Sequence, residues 1–314
     1  MPTDAQYQDL LQRHTHAVFD WTAVVPDDWH QELPVEPLVP RYFRNTDDDF
    51  FPVLLTLEEL SDTQMRRLGE NLEEAARRPY MLIPACLLYV DPDVHSKALV
   101  HHLTDKLMLE GPGRKKAGDR LIRYYYGGIF LHLLRILPPP RVRQLFGPVL
   151  KWSIPFQKEW ISFMPPQTTE VIPRFWTTTD EEQSQRIERI GILNDVLKSW
   201  RERTGHRWDS VDALHADADK LERLLLSGVT RYRIRVYEDQ FLFGLHSLLY
   251  GEDFHEHPKI RQIMQTVQKE GWGYAGGCME ITEEGWEEIV AAQHDQATIE
   301  QIHQRKKYHA SRMR

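Results

Sequence analysis

Cysteine is scarce in this chain: Cys86 and Cys278 are the only two among 314 residues, far apart and without cysteine neighbours. That excludes a disulfide framework and a paired-thiol metal motif, and both thiols are expected to be buried. No uncharged apolar run reaches the length of about 18 residues that a spanning helix needs, and the segment Met1–Leu11 is polar and acidic. Neither a membrane span nor a secretion signal is expected, and the expected compartment is the cytosol. Motifs of catalysis are missing too. The sequence has no Gly-x-Ser-x-Gly elbow, no His-Glu-x-x-His helix and no histidine adjacent to either cysteine. The glycine-dense run Gly271–Gly277 lacks the Lys-Ser/Thr of a phosphate loop and reads as a flexible connector.

Charge is unevenly placed. The net charge is −8, yet residues 111–160 carry 10 basic and 2 acidic side chains, whereas residues 1–110 carry 9 basic and 20 acidic ones. Such a block can pair with the acidic N-terminal third, attract an acidic protein surface or contact nucleic-acid phosphate. Between Arg120 and Phe163 the basic residues are interleaved with Tyr124, Tyr125, Tyr126, Phe130, Phe146, Trp152, Phe156, Trp160 and Phe163. Arginine and aromatics anchor protein interfaces, and the same mixture serves phosphate contact and base stacking. Trp152, Phe156 and Trp160 are the partner-contact candidates because they fall near the end of the first lobe.

Two other clusters invite a chemical reading. His255 and His257 in Asp-Phe-His-Glu-His-Pro have the spacing of a strand-borne ligand pair, with Asp253 and Glu256 nearby, so a metal-dependent enzyme is one alternative. Pro258 argues instead for a helix start preceded by a turn, and no metal or cofactor is expected. His101 and His102 are adjacent on a helical pattern, which turns one toward the core and the other toward water. Glu283, Glu284, Glu287 and Glu288 read as a solvated helix face.

The elements alternate at first. Strands are expected at His16–Trp21, Phe50–Leu55, Tyr80–Tyr89, Val149–Ile154 and Trp160–Phe163, and a hairpin from Lys106–Leu109 and Arg120–Tyr126. Ser61 and Gln64 form a capping box that starts a helix with the stripe Met65, Leu68, Leu72 and Ala76. Helices follow from Asp93, over Ile129–Leu137, and after Pro138-Pro139-Pro140 to Phe146. Beyond a proline- and threonine-rich stretch the pattern is helical. Thr179 and Glu182 cap the stripe Ile187, Ile190, Leu193, Leu197 and Trp200, which ends at Gly205; further helices cover Val211–Leu226, Tyr237–Tyr250, Pro258–Lys269, Glu283–Gln293 and Thr298–Lys307. The expected fold is α+β: a mixed lobe over 1–165 with a mainly antiparallel sheet and a β-hairpin, a linker over 166–179, and an α-helical lobe over 180–314.

The order Arg120-Leu-Ile-Arg123-Tyr124-Tyr125-Tyr126-Gly127-Gly128-Ile-Phe130, Leu134-Arg-Ile-Leu137-Pro138-Pro139-Pro140, Leu145-Phe146-Gly147-Pro148-Val149 and Trp152 resembles the signature of the effector adaptor/chaperone family of the bacterial type VI secretion system. There a strand approximating Phe-Arg-Phe-Tyr-Asp-Pro leads into a helix, a Leu-Pro turn and Phe-Gly-Pro before a tryptophan strand. The resemblance spans roughly His16–Pro155, with Tyr126-Gly127 standing where the family has Asp-Pro. It implies a non-catalytic cytoplasmic protein that binds an effector and the spike protein, with no cofactor, no nucleic acid and no membrane insertion, and it adds Arg123 and Tyr125 to the partner-binding candidates. An exposed edge strand near the hairpin would suit an extended effector segment. The alternatives are the His255/His257 metal enzyme and a nucleic-acid binder using the basic 111–160 block.

Overall fold

The capping box at Ser61 forms as its spacing requires. The Gln64 N–H donates to Ser61 Oγ at 3.3 Å and the Ser61 N–H donates to Gln64 Oε1 at 3.0 Å. A helix follows, Asp62–Arg77, whose Leu68 and Leu72 are fully buried. This comes from a computed structural model that describes residues 4–20, 32–40, 43, 51–77, 85–109, 121–157, 159–172, 176, 180–270 and 273–292.

The chain divides into two compact units, Met1–Glu188 and Arg189–Arg314. In the first, α1 (Asp4–Gln12), β1 (His16–Phe19), β2 (Val35–Pro37), β3 (Val53–Thr56), α2 (Asp62–Arg77), β4 (Cys86–Val90), α3 (Ser96–Lys106), α4 (Gly127–Ile136), α5 (Pro139–Phe146), β5 (Val149–Phe156), β6 (Glu159–Phe163) and α6 (Glu181–Glu188) follow one another. The strands make one six-stranded sheet in the order β2-β3-β1-β4-β5-β6, every pair antiparallel. The fold is therefore α+β, with an antiparallel sheet in the N-terminal unit and helices after it.

Strand periodicity sorts the core into two layers, because successive side chains point to opposite faces. Ala17 and Phe19 of β1, Val53 and Leu55 of β3 and Leu87 of β4 pack with Tyr7 and Leu11 of α1 and Leu68 and Leu72 of α2. The alternate positions, Val18, Cys86, Trp152 and Ile154, are also buried and face the layer that holds α4 and α5. There the Phe130 ring stacks on Trp152 at 4.9 Å between centroids, and Phe146 meets Trp152 edge-on at 5.8 Å. Helix α3 is tied to this layer by Tyr124, whose hydroxyl donates to the Leu103 carbonyl at 2.7 Å, and by His102, whose Nε2 donates to the Leu145 carbonyl at 3.0 Å. His101 remains exposed beside Asp105 at 3.2 Å, so the adjacent histidines do divide between interior and solvent.

Several expectations are corrected. The segment expected as a hairpin from Lys106 makes a single bridge, Met108 with Leu121: Lys106 still belongs to α3, Tyr124–Tyr126 turns, and residues 110–120 lie outside the described residues. The hairpin of the sheet is β5–β6, closed by Phe156 opposite Glu159, with Gln157 at φ 59° in the turn. Helix α1 and strand β2 were not anticipated. A stripe of only Tyr7, Leu10 and Leu11 buries α1, and a three-residue edge strand ending in proline lacks any periodic signal. Asp180 Oδ1 accepts from the Gln183 N–H at 2.7 Å, one position after Thr179, which lies outside the described residues.

The second unit is helical: α7 (Ile190–Thr204), α8 (Val211–Tyr232), α9 (Tyr237–Tyr250), a 3-10 turn Phe254–Glu256, α10 (Pro258–Glu270), α11 (Tyr274–Cys278) and α12 over 283–292. Gly205 ends α7 in the left-handed conformation, φ 70°, where a side chain would clash with the following carbonyl. The glycine-rich run read as a connector contains α11, because Tyr274 and Cys278 are apolar anchors buried with Phe243, Phe254 and Ile263. Thr298–Lys307 and the basic tail lie outside the described residues.

Candidate partner-binding site

Asp20 follows β1 on the face of Val18, and at 1% exposure it is a carboxylate inside the sheet–helix layer. An isolated buried charge costs several kcal/mol, so donors must surround it. Its Oδ2 accepts from the Tyr125 hydroxyl at 2.9 Å and the Tyr126 hydroxyl at 2.7 Å, and Arg123 Nη1 lies 3.6 Å away. Burial first and the neighbouring carboxylate second push both phenols well above their ordinary range. They therefore remain donors at any physiological pH.

The three donors come from one short segment because of how α4 begins. Tyr126 is the N-cap residue of α4 and makes no side-chain cap bond; its hydroxyl goes to Asp20 instead. Gly127 then lets the helix start against β5: a Cβ there would stand 3.0 Å from the Pro155 carbonyl oxygen and 3.5 Å from the Ile154 side chain. Close approach, and not a turn, is what this glycine supplies. The rings continue inward in series, Tyr126 to Tyr125 at 5.0 Å, Tyr125 to Tyr124 at 5.8 Å and Tyr124 to Trp152 at 5.6 Å.

The five sequence candidates thus separate. Arg123 and Tyr125 converge on Asp20, which sequence reasoning missed, although a carboxylate sharing the strand face of Val18 is the signal that marks it. Tyr125 and Trp152 are 1% and 0% exposed, so their role in this conformation is to hold the layer together. Arg123 keeps 42% of its side chain exposed. Phe156 and Trp160 are half-buried at the β5–β6 hairpin, with Trp160 packed on the α1–α2 side of the sheet. Beyond them β6 is an edge: among the described residues it pairs with β5 alone.

The same hairpin holds a second buried polar chain. His14 Nδ1 donates to the Leu10 carbonyl at 2.7 Å, which leaves Nε2 to accept from Ser153 Oγ at 2.7 Å; Ser153 Oγ in turn lies 2.7 Å from Ser162 Oγ. Burial lowers the His14 imidazole to about 4 and keeps it neutral.

Much of the basic block is used internally. Arg141 Nη1 donates to Gln144 Oε1 at 3.1 Å, Arg143 Nη1 to the Gly147 carbonyl at 3.2 Å, and Lys151 Nζ to the Arg13 carbonyl at 2.9 Å. Residues 111–120 and Lys158 lie outside the described residues.

His255 and His257 each have partners of their own. His255, 5% exposed, has Nε2 3.3 Å from both Arg231 Nη1 and Glu256 Oε1, while His257 Nδ1 accepts from the Lys259 N–H at 3.4 Å. Among the described residues no group of three or more His, Cys, Asp or Glu is placed to hold a metal ion. Nor is any helix among them long and apolar enough to cross a membrane. Glu283, Glu284, Glu287 and Glu288 are exposed on α12, Glu288 pairing with Lys259 at 2.5 Å beside a groove of about 300 Å³. Comparisons with protein-family models, with curated proteins and with solved structures find no match to this chain.

Proposed function

We propose that this chain is a non-catalytic cytoplasmic adaptor that binds an effector of a type VI secretion system and recruits it to the spike protein. The observation that carries this reading is the fate of the residues behind the resemblance. Arg123, Tyr124, Tyr125, Phe130, Phe146 and Trp152 form one continuous hydrogen-bonded and aromatic cluster anchored on Asp20. A motif whose members all meet in one layer specifies a local architecture, and here that architecture supports the β5–β6 hairpin and its open edge.

The physical fit to protein binding lies at that edge. An edge strand offers unpaired backbone donors and acceptors to an extended segment of another chain. Phe156, Trp160 and exposed Met164 supply apolar side chains of the kind that anchor such contacts. The deciding experiment is capture by the tagged protein in its native host, with the effector and spike protein identified by mass spectrometry. Both proteins are expected in the complex, and recovery of neither overturns the reading.

A further inference from the structure

Helices α10, α11 and α12 leave a groove of about 300 Å³ between them. Ile263, Val267 and Ile281 give it apolar walls, and two more of its lining residues are glycines. A Cβ at Gly277 would stand 2.5 Å from Ile263 Cγ2, and one at Gly285 would stand 2.8 Å from Ile281 Cγ2, so close packing with no side chain at either position shapes the groove. Part of its apolar surface is open to solvent. Val267 and Ile281 are half-buried, and Met279, just past the end of α11, is 86% exposed.

The surround of the groove is acidic. Glu280 lines it, and Glu283, Glu284, Glu287 and Glu288 are exposed on α12. Glu283 with Glu287, and Glu284 with Glu288, are like charges four apart, an arrangement that destabilises a helix until cations cover it. Of the five acids only Glu288 has an ion pair among the described residues, with Lys259. Arg261 is held by Glu256. Even when Lys259, Lys269 on α10 and Arg203, whose charge reaches His246 beside Trp286, are all counted, five carboxylates face three cations.

The residues that follow α12 carry the opposite charge. Residues 293–314 lie outside the described residues. Over 301–314 the chain has Arg305, Lys306, Lys307, Arg312 and Arg314 and neither aspartate nor glutamate. Ile299 and Ile302 are three apart in the helical pattern expected over 298–307, which puts them on one side of it. The tether is long enough to bring them back. From Gly285 to residue 292 the helix rises about 10 Å, and the chain from 292 to 299 can span up to about 23 Å.

We infer that this groove and its acidic surround are the docking site of the chain's own residues 298–314, with Ile299 and Ile302 against Ile263, Val267 and Ile281 and the basic residues over Glu283, Glu284 and Glu287. The inference is independent of the adaptor reading. Attachment to the same chain gives the segment an effective concentration in roughly the millimolar range, so modest contacts hold it in place. A basic segment of another protein has to displace it first. The contact is therefore a self-occluding one, which keeps an acidic, partly apolar surface covered until a stronger competitor arrives.

The test uses the full chain. A mixture of ordinary and isotope-labelled protein is treated with a carbodiimide, which joins carboxylates to amines in direct contact, and the products are mapped by mass spectrometry. Links from Lys306 or Lys307 to Glu283, Glu284 or Glu287 within one chain are expected, and fewer of them at high salt. Amide hydrogen exchange over residues 283–292 is expected to speed up roughly tenfold in Arg305→Glu/Lys306→Glu/Lys307→Glu and about threefold in the corresponding glutamine variant. Adding Glu283→Lys/Glu284→Lys/Glu287→Lys to the triple-glutamate variant should restore slow exchange, which separates docking from a general loss of fold. A fluorescein-labelled peptide with the sequence of residues 298–314 is expected to bind the triple-glutamate variant about tenfold more tightly than the unaltered chain, whose site is already filled. No links within a chain, links only between ordinary and labelled chains, or exchange and peptide affinity unchanged by the variants would each overturn the inference.

Discussion

Replacing Asp20 with alanine removes the acceptor on which Tyr125, Tyr126 and Arg123 converge. The Tyr125 hydroxyl is buried, so it loses its bond at 2.9 Å without access to water, and an unsatisfied buried donor costs about 1–3 kcal/mol. Tyr126 is half-buried and recovers part of its loss by hydration, and the 42% exposed Arg123 recovers more. Deleting one member of a buried charged cluster costs about 3–5 kcal/mol in general, and the exposure of Arg123 favours the lower end. For a unit of this size that is roughly 6–20 °C in Tm. Asp20→Asn keeps the shape and one acceptor and is expected to cost about half as much. Thermal and urea unfolding, followed by near-ultraviolet circular dichroism of the tyrosine and tryptophan rings, measures both. A double-mutant cycle of Asp20→Asn with Tyr125→Phe should show coupling above about 0.5 kcal/mol. If Asp20→Ala unfolds within about 0.5 kcal/mol of the unaltered chain, the carboxylate does not organise this layer and the reasoning fails.

Three further outcomes follow from the same geometry. Burial lowers His14, His102 and His246 to about 4, below the value of about 6.5 in an unfolded chain. Each is held neutral in the fold, so stability is full above pH 6.5 and falls as pH drops toward 4, by an order of 3 kcal/mol per group at most. Urea midpoints measured across that window check it, and a flat profile refutes it. Gly127→Ala is expected to destabilise by about 1–3 kcal/mol, because its Cβ meets the Pro155 carbonyl oxygen; a neutral or stabilising effect would mean that α4 can withdraw from β5 freely. Cys86 is fully buried and Cys278 nearly so, and burial pushes both thiols up, Cys278 to about 11. Neither should react with a thiol reagent at pH 8 until denaturant is added, and rapid labelling of the native chain would contradict the burial.

Local signals were read wherever one short segment decides the outcome. The Ser61–Gln64 box, the proline-led start of α5, the span of α9 and the glycine stop of α7 each follow from backbone preferences and side-chain bonds within a few residues. Where the deciding contact is remote, the pattern misled. Arg120–Tyr126 has the β-propensity of a hairpin arm, but the tyrosines gain more by turning inward to Asp20, Leu103 and Trp152 than a two-stranded ribbon returns to them. The tract Gly271–Gly277 has a loop's composition, and two anchors in the helical core nonetheless make a helix of part of it.

The candidate site divides along the same line. Its arginine, tyrosines and tryptophan stand out in the linear chain as a dense aromatic and basic run. Asp20 does not, because it lies about a hundred residues earlier and becomes their partner only when β1 enters the sheet. The sequence by itself determined the α+β class, the helical character of the second half and the concentration of aromatics between Arg120 and Phe163. Tertiary structure decided which of those aromatics are interior and that one buried carboxylate gathers three donors. The physical reason is that periodicity and capping act over one or two turns of chain, whereas burial and charge pairing depend on which distant residues the sheet and the helical core bring into contact.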